Sequence, residues 1–194
     1  MSTDDITGVI LAGGRSTRMG QDKGVISAAG KMLFEHIADR LRPMVGEILI
    51  NSNQNASIYG QHFNVVPDIT QDYAGPLAGM LAGLKAIKTE WALFVPCDVP
   101  SFPLDLAKQF VAHSSQHSAV YARDALRDHP TLCLLSKNII PELESYLAQG
   151  ERKVMIFLKQ INALTVEFND PQAFANLNTP ADVALWEKTL GQPS

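Results

Sequence analysis

Positive charge, cysteine and long apolar runs are all scarce in this sequence, and each shortage removes a class of function. Sixteen Lys and Arg face twenty Asp and Glu, leaving a formal charge of -4. No global basic field exists of the kind that draws proteins onto nucleic acid or membrane. A polyanionic ligand has to be met by a local cluster. Only two cysteines occur, Cys97 and Cys133, in no CxxC or other metal-ligand spacing, so reduced thiols are the simplest reading. No stretch reaches the roughly 18 apolar residues that span a bilayer, because charges, Gly or Pro interrupt every run. The opening MSTDDIT is acidic and lacks the basic and apolar regions of an export signal. The expectation is a cytoplasmic protein with neither nucleic acid nor membrane as partner.

Two familiar phosphate-binding spacings are missing as well. The sequence contains no GxxxxGK[ST] of the Walker type, and the glycines after the first apolar run do not form GxGxxG. What the chain does have is the material for a sizeable core: 194 residues, 46% of them hydrophobic and 19% charged. That composition belongs to folded globular proteins and not to disordered ones. No repeat or low-complexity linker divides it, which predicts one domain over residues 1–194.

Apolar patterning alternates between strand and helix. Val9 to Ala12 is a short branched run stopped by Gly13-Gly14, as in a strand buried on both faces. From Lys31 to Arg42, Leu33, Phe34, Ile37, Ala38 and Leu41 recur at helical spacing, which predicts a helix ended by Pro43. Strands are expected at Glu47 to Ile50, Val65 to Val66 and Trp91 to Val95, with a short helix near Ala56 to Gly60 and a longer one opening at Pro76. Such alternation predicts an α/β, Rossmann-like fold with a mostly parallel sheet flanked by helices. Further along, a helix is expected from Ser101 and Pro103. Ala119 to Tyr121 and Thr131 to Leu135 flank the charged turn RDALRD and predict an antiparallel element in the second half. Helices are expected over Asn138 to Ala148 and Arg152 to Gln160, and a last one from Thr179-Pro180, with Thr179 as its cap and Asp182 at its positive end.

In open sheets of this kind ligands sit beyond the carboxyl ends of the strands. The chemistry is therefore expected in the loops after Leu11, Ile50, Val66 and Val95. The first of these reads LAGGRSTRMGQDK, from Leu11 to Lys23. Gly13 and Gly14 free backbone N-H groups to approach phosphate, and Arg15, Arg18 and Lys23 supply the local positive cluster that the net charge requires. By itself a Gly-Gly after a strand is more often a plain tight turn; joined to RxxRMGxxK it is far more specific.

That segment resembles the signature of the nucleotidyltransferases that build activated sugars and cofactors, in the form found in the molybdenum cofactor guanylyltransferases. The resemblance continues through Asn51 in ILINSN, Asp68 in VVPD, Gly75-Pro-Leu-Ala-Gly79 and Pro96-Cys-Asp98-Val-Pro100. It then takes in Asp128-His-Pro-Thr131, Gly150 to Met155 and Asn176-Leu-Asn-Thr-Pro180. The family's fold, that of the nucleotide-diphospho-sugar transferases, matches the expected architecture. The resemblance implies nucleotide contacts at Leu11, Ala12, Gly13, Gly14, Lys23, Asn51, Asp68 and Asp98, and catalytic roles for Lys23, Asp98 and Arg18. It places the acceptor, Mo-molybdopterin, against Gly75, Pro76, Gly79, Arg152, Lys153, Asn176 and Asn178, so that the first half of the domain serves the nucleotide and the second the pterin. LAGG, in place of LAAG, resembles the guanine-using branch.

The implied reaction joins the GMP half of GTP to the acceptor's terminal phosphate and releases pyrophosphate. Asp98, held between Pro96 and Pro100, is the expected ligand for Mg2+, which takes one or two carboxylates and fills its shell with phosphate and water. An Asp after a strand is otherwise often a cap or turn former. Molybdoenzymes, their chaperones or other cofactor-biosynthesis proteins are the implied recipients. The rival readings are a cytidylyltransferase, a sugar-phosphate nucleotidyltransferase, or a noncatalytic carrier of nucleotide or molybdopterin. His113 and His117 stand four apart without a third ligand and are expected to be ordinary surface residues. His129 either touches substrate or bonds to loop backbone, and both cysteines are expected in the core.

Overall fold

A computed structural model describes residues 1–12, 22–69 and 75–190. Strand β1 (Ile6–Leu11) is followed by a small hairpin, β2 (Ser27–Ala28) and β3 (Lys31–Met32), then by α1 (Leu33–Leu41), β4 (Glu47–Asn51), α2 (Ala56–Tyr59) and β5 (Asn64–Val66). Next come α3 (Pro76–Ala86), β6 (Trp91–Pro96), α4 (Leu106–Val111), β7 (Ala119–Arg123) and β8 (Asp128–Ser136). The chain closes with α5 (Ile140–Ala148), α6 (Val154–Gln160), β9 (Leu164–Glu167) and α7 (Pro180–Leu190).

The central sheet runs β5-β4-β1-β6-β8-β7-β9. The first four strands are mutually parallel, β8 is antiparallel to both β6 and β7, and β9 is parallel to β7. This is the mostly parallel sheet with an antiparallel element that the alternation predicts. Strands alternate their side chains between faces, and the two cores follow from that period. Ile6 and Ile10 of β1 join Leu93 and Val95 of β6 against Phe34, Ile37 and Leu41 of α1. Val9, Ala92 and Phe94 point the other way, onto Leu77, Met80, Leu81 and Leu84 of α3 and Leu143 of α5. Fully burying a side chain of this size stabilises by about 1.5–3 kcal/mol, so both faces must be covered. Helix α3 lies close: a Cβ on Gly83 would stand 3.0 Å from the Phe94 ring and 3.1 Å from Val9.

Several boundaries differ from the sequence expectation. Lys31 and Met32 form β3 instead of opening α1, because Ala29 (φ 47°) and Gly30 (φ 80°) make a left-handed turn that folds Ser27–Met32 into a hairpin. The helix expected from Ser101 begins later, at Leu106, after an irregular stretch from Pro100. The antiparallel strands are longer than expected, leaving only Asp124 to Arg127 as the turn. Strand β9 was not expected at all; its four residues join the sheet edge beside β7.

Register sets the rim. Leu11 is level with Asn51 on one side and Pro96 on the other, and Asn51 is level with Val66. The segments after these strands therefore leave the sheet side by side, about 4.8 Å apart. From β1 the strands step outward through β4 to β5, whereas β6 is added on β1's opposite side. The order thus reverses between β1 and β6, the place where α/β sheets open a crevice for ligands. Because β7 and β9 run in the same direction as β6, the turn Asp124–Arg127 and the segment after β9 rise at that same rim. No described helix is long and apolar enough to cross a membrane.

Candidate active site

Lys23 and Asp98 meet across the crevice. The Lys23 ammonium donates to Asp98 Oδ2 at 2.8 Å and to Asn178 Oδ1 at 2.7 Å. The two charged side chains are 17% and 16% exposed, sheltered enough for the pair to be strong yet open to a ligand. Asp98 is fixed through its backbone as well: Cys97 N-H donates to the Leu11 carbonyl at 3.1 Å, and Leu177 N-H donates to the Asp98 carbonyl at 2.8 Å. The return segment carrying Leu177 and Asn178 is thus stitched to both members of the pair. Asn178, expected on the acceptor side, stands on the lysine itself.

The residue before Lys23 anchors it. Asp22 accepts from Gly24 N-H through Oδ1 at 3.0 Å and through Oδ2 from Asn55 Nδ2 at 2.9 Å and the Tyr59 hydroxyl at 2.8 Å. Tyr59 is fully buried, and burial, helped by the Asp22 charge and hydrogen bond, pushes its phenol far above the ordinary range. A Cβ on Gly24 would lie 2.3 Å from the Tyr59 hydroxyl oxygen, so glycine is what allows the turn to close on that ring. Sequence reasoning passed over Asp22, Asn55 and Tyr59. Asp22 adjoins the lysine in the motif, and Asn55 sits at φ 52°, a left-handed position that suits Asn.

A second group forms at the ends of β4 and β5. Buried Asn51 donates through Nδ2 to the Val66 carbonyl at 3.1 Å and to Asp68 Oδ1 at 2.8 Å. Asn53 and Asp68 bond reciprocally: Asn53 Nδ2 donates to Asp68 Oδ2 at 2.9 Å, and Asp68 N-H donates to Asn53 Oδ1 at 2.8 Å. Gly79, on the buried side of α3, makes room for this arrangement, since a Cβ there would lie 2.1 Å from Asn51 Oδ1. Gly79 thus lies buried beneath Asn51, apart from the exposed Gly75 and Pro76 at the start of the same helix. Ala12 N-H donates to the Asn51 carbonyl at 2.9 Å, which ties the first loop to the second.

Gly75 and Pro76 are exposed at the start of α3, Gly75 with φ 70° and ψ -164°. Arg152 and Lys153 are exposed just before α6; the Arg152 guanidinium bonds the Leu147 and Glu151 carbonyls at 2.9 and 2.7 Å. No hydrogen bond among the described residues joins them to Asn176 or Asn178. Asn176 accepts from Arg127 at 2.9 Å and forms part of the wall of an open cavity of about 570 Å³, with Asp170, Gln172, Asp182 and Trp186. Gly13, Gly14, Arg15 and Arg18 lie outside the described residues. Both cysteines are buried, as expected, and burial pushes their thiols up; at Cys97 the neighbouring Asp98 and Asp22 charges add to it. His129 bonds to a side chain, with its Nε2 2.8 Å from Asp124 Oδ2 and both groups buried. No cluster of three His, Cys, Asp or Glu able to hold a metal occurs among the described residues.

The geometry, a lysine-aspartate pair at a switch-point crevice with an Asn-Asp pair beside it, suits a nucleoside triphosphate and its metal. Comparison with known proteins agrees. The MobA-like NTP transferase domain matches residues 8–163. The molybdenum cofactor guanylyltransferase of Serratia proteamaculans (strain 568) is 49% identical over 191 residues, 97% of each chain. That of Yersinia pseudotuberculosis serotype O:1b (strain IP 31758) is 50% identical over 192 residues, covering 97% of this chain and 98% of its own. Among solved structures, molybdopterin-guanine dinucleotide biosynthesis protein A from Archaeoglobus fulgidus superposes with a TM-score of 0.80 at 20% identity, covering 95% of this chain and 98% of its own. A CMP:2-keto-3-deoxy-manno-octonic acid synthetase complexed with CTP gives 0.78 at 11% identity, over 96% and 98%. These two likenesses are of fold; the sequence matches go further, and by them this chain belongs to the molybdenum cofactor guanylyltransferases of the MobA-like NTP transferase family.

Proposed function

We propose that this chain transfers GMP from GTP to the terminal phosphate of Mo-molybdopterin, forming molybdopterin guanine dinucleotide and pyrophosphate. The observation that carries this reading is the meeting of Lys23, Asp98 and Asn178 at the crevice between β1 and β6. An acceptor phosphate oxygen attacks the α-phosphorus; the bond from that phosphorus to the bridging oxygen breaks, and its electron pair leaves with pyrophosphate. A phosphate monoester is already anionic at neutral pH, its second pKa being about 6, so no strong general base is needed. Catalysis is alignment and charge neutralisation.

Lys23 exchanges its protein partners for phosphate oxygens when the triphosphate enters, and the Asp22 clamp holds its backbone in place meanwhile. Arg18 would add a second cation in the first loop. Asn51 and Asp68, already locked to each other, present a rigid edge to the nucleoside. Asp98 is a hard oxygen donor at the crevice and suits Mg2+, which, when bound with the phosphates, would offset their charge. On the acceptor side Arg152 and Lys153 would meet phosphate, and the exposed Gly75 and Pro76 would leave the start of α3 open to the pterin. Asn176 and Asn178 would read the pterin. We place the reaction in the cytoplasm and the product's delivery with molybdoenzymes or their chaperones.

Two labels test the reaction. With GTP labelled at the α-phosphorus, the label is expected in a pterin-containing product, and label from the γ-position in pyrophosphate. A γ-label on the acceptor would indicate a kinase, and no transfer at all a carrier; either result contradicts the reading.

A further inference from the structure

We propose that Arg127, seated on the buried Asp124-His129 pair, is the positioning residue that fixes Asn176 and presents its amide N-H groups to an acceptor-rich edge of the second substrate. The inference rests on the reading above that Asn176 faces that substrate.

Burying an ionisable pair is costly. Asp124 and His129 are 2% and 6% exposed; His129 lies in β8, and Asp124 opens a turn of four residues that Asn or Gly could close without burying a charge. Asp124 is nonetheless fully partnered. Its Oδ1 accepts from Leu126 N-H at 2.7 Å and Arg127 N-H at 2.8 Å, and its Oδ2 lies 2.8 Å from His129 Nε2. Burial opposes its ionisation, but the hydrogen bonds from His129 and from the Arg127 and Leu126 backbone prevail and hold the carboxyl below the usual range. Such a network makes the turn rigid at Arg127.

That rigidity is directed at the return segment after β9. The Arg127 guanidinium donates through one nitrogen, Nη2, to Asn176 Oδ1 at 2.9 Å and to the Phe174 carbonyl at 3.5 Å. The His129 ring stacks on Phe174 with centroids 4.5 Å apart and planes 18° from parallel. Phe174 is thus gripped by ring and carbonyl, Asn176 by its side chain. Leu177 then reaches Asp98, and Asn178 reaches Lys23. A carboxamide whose oxygen is already occupied by a cation has its N-H groups to offer. The amide can no longer turn over to accept instead. The ligand group it selects is therefore a carbonyl, a ring nitrogen or a phosphate oxygen.

Arg127 is exposed, so its substitution tests the contact without emptying the core. For Arg127→Ala, KM for the pterin phosphate should rise about tenfold, as for loss of one charged hydrogen bond. GTP affinity, measured without acceptor, should stay within about twofold. Arg127→Lys should recover part of the loss, because an ammonium can donate to Asn176 but lacks the guanidinium's planar reach. An acceptor KM within about twofold of wild type, or an equal weakening of GTP binding, would overturn the proposal. An independent readout is the side-chain amide resonance of Asn176, expected to shift in Arg127→Ala. If wild type transfers nothing to the acceptor, the functional reading fails, and the resonance still decides the clamp: an unchanged signal sinks it.

Discussion

At the scale of single residues, the site is a set of carboxylates whose oxygens are already assigned. Asp98 holds Lys23, Asp22 holds the turn beneath Lys23, and Asp68 holds Asn51. Asp98→Ala should lower kcat by at least the 100- to 1000-fold typical of losing one electrostatic stabiliser, with near-normal turnover counting against its place at the reacting phosphates. Tyr59→Phe removes a single buried hydroxyl from Asp22 and should raise the Kd for GTP several-fold, as expected for about 1 kcal/mol of lost hydrogen bonding. Titration calorimetry measures it, and an unchanged Kd would mean that Asn55 and Gly24 hold Asp22 unaided. Gly79→Ala puts a methyl 2.1 Å from Asn51 Oδ1. It should weaken GTP binding while sparing acceptor KM; the reverse pattern would put Gly79 back on the pterin side. Much of this was legible in the sequence: Lys23, Asn51, Asp68 and Asp98 stand in the motifs and converge on one rim. The clamps were not, because Tyr59 and Asp124 act over 37 and 5 residues through side-chain contacts that leave no period or spacing behind.

At the scale of elements, the strands buried on both faces announced themselves by composition, and α7 by its cap. Thr179 Oγ1 accepts from Asp182 N-H at 3.2 Å, and Asp182 Oδ2 accepts from Thr179 N-H at 2.8 Å. Short elements were silent. Strand β9 has a single buried residue, Val166, and hairpin β2-β3 has two residues per strand, too few for any period to show. Gly75 connects this scale to function. Its φ 70° and ψ -164° lie in a region open essentially to glycine, at the point where the chain enters α3. Gly75→Ala adds about 1–3 kcal/mol of strain, and calorimetry should find Tm lowered by about 2–12 °C. No loss of Tm would show that this backbone relaxes freely.

At the scale of the whole molecule, the sheet's reversal between β1 and β6 opens the crevice where Lys23 and Asp98 meet, and the turn from parallel to antiparallel pairing brings the second half to the same rim. Asp124 gives that half a pH dependence. Its folded pKa is depressed, so its contribution to stability is complete above the ordinary aspartate pKa of about 3.9 and disappears as pH falls through the lower, folded value. In urea titrations Asp124→Asn should therefore cost about 1–3 kcal/mol at pH 7 and progressively less below about pH 4. A constant gap would mean that the charge of Asp124 contributes nothing. The central claim, guanylyl transfer at the Lys23-Asp98 crevice, is tested most directly by pyrophosphate release from purified protein given Mo-molybdopterin and Mg2+, with GTP and CTP side by side. Release with GTP, absent with CTP and abolished in Asp98→Ala, is the predicted result; release with CTP alone, or with neither nucleotide, would contradict it.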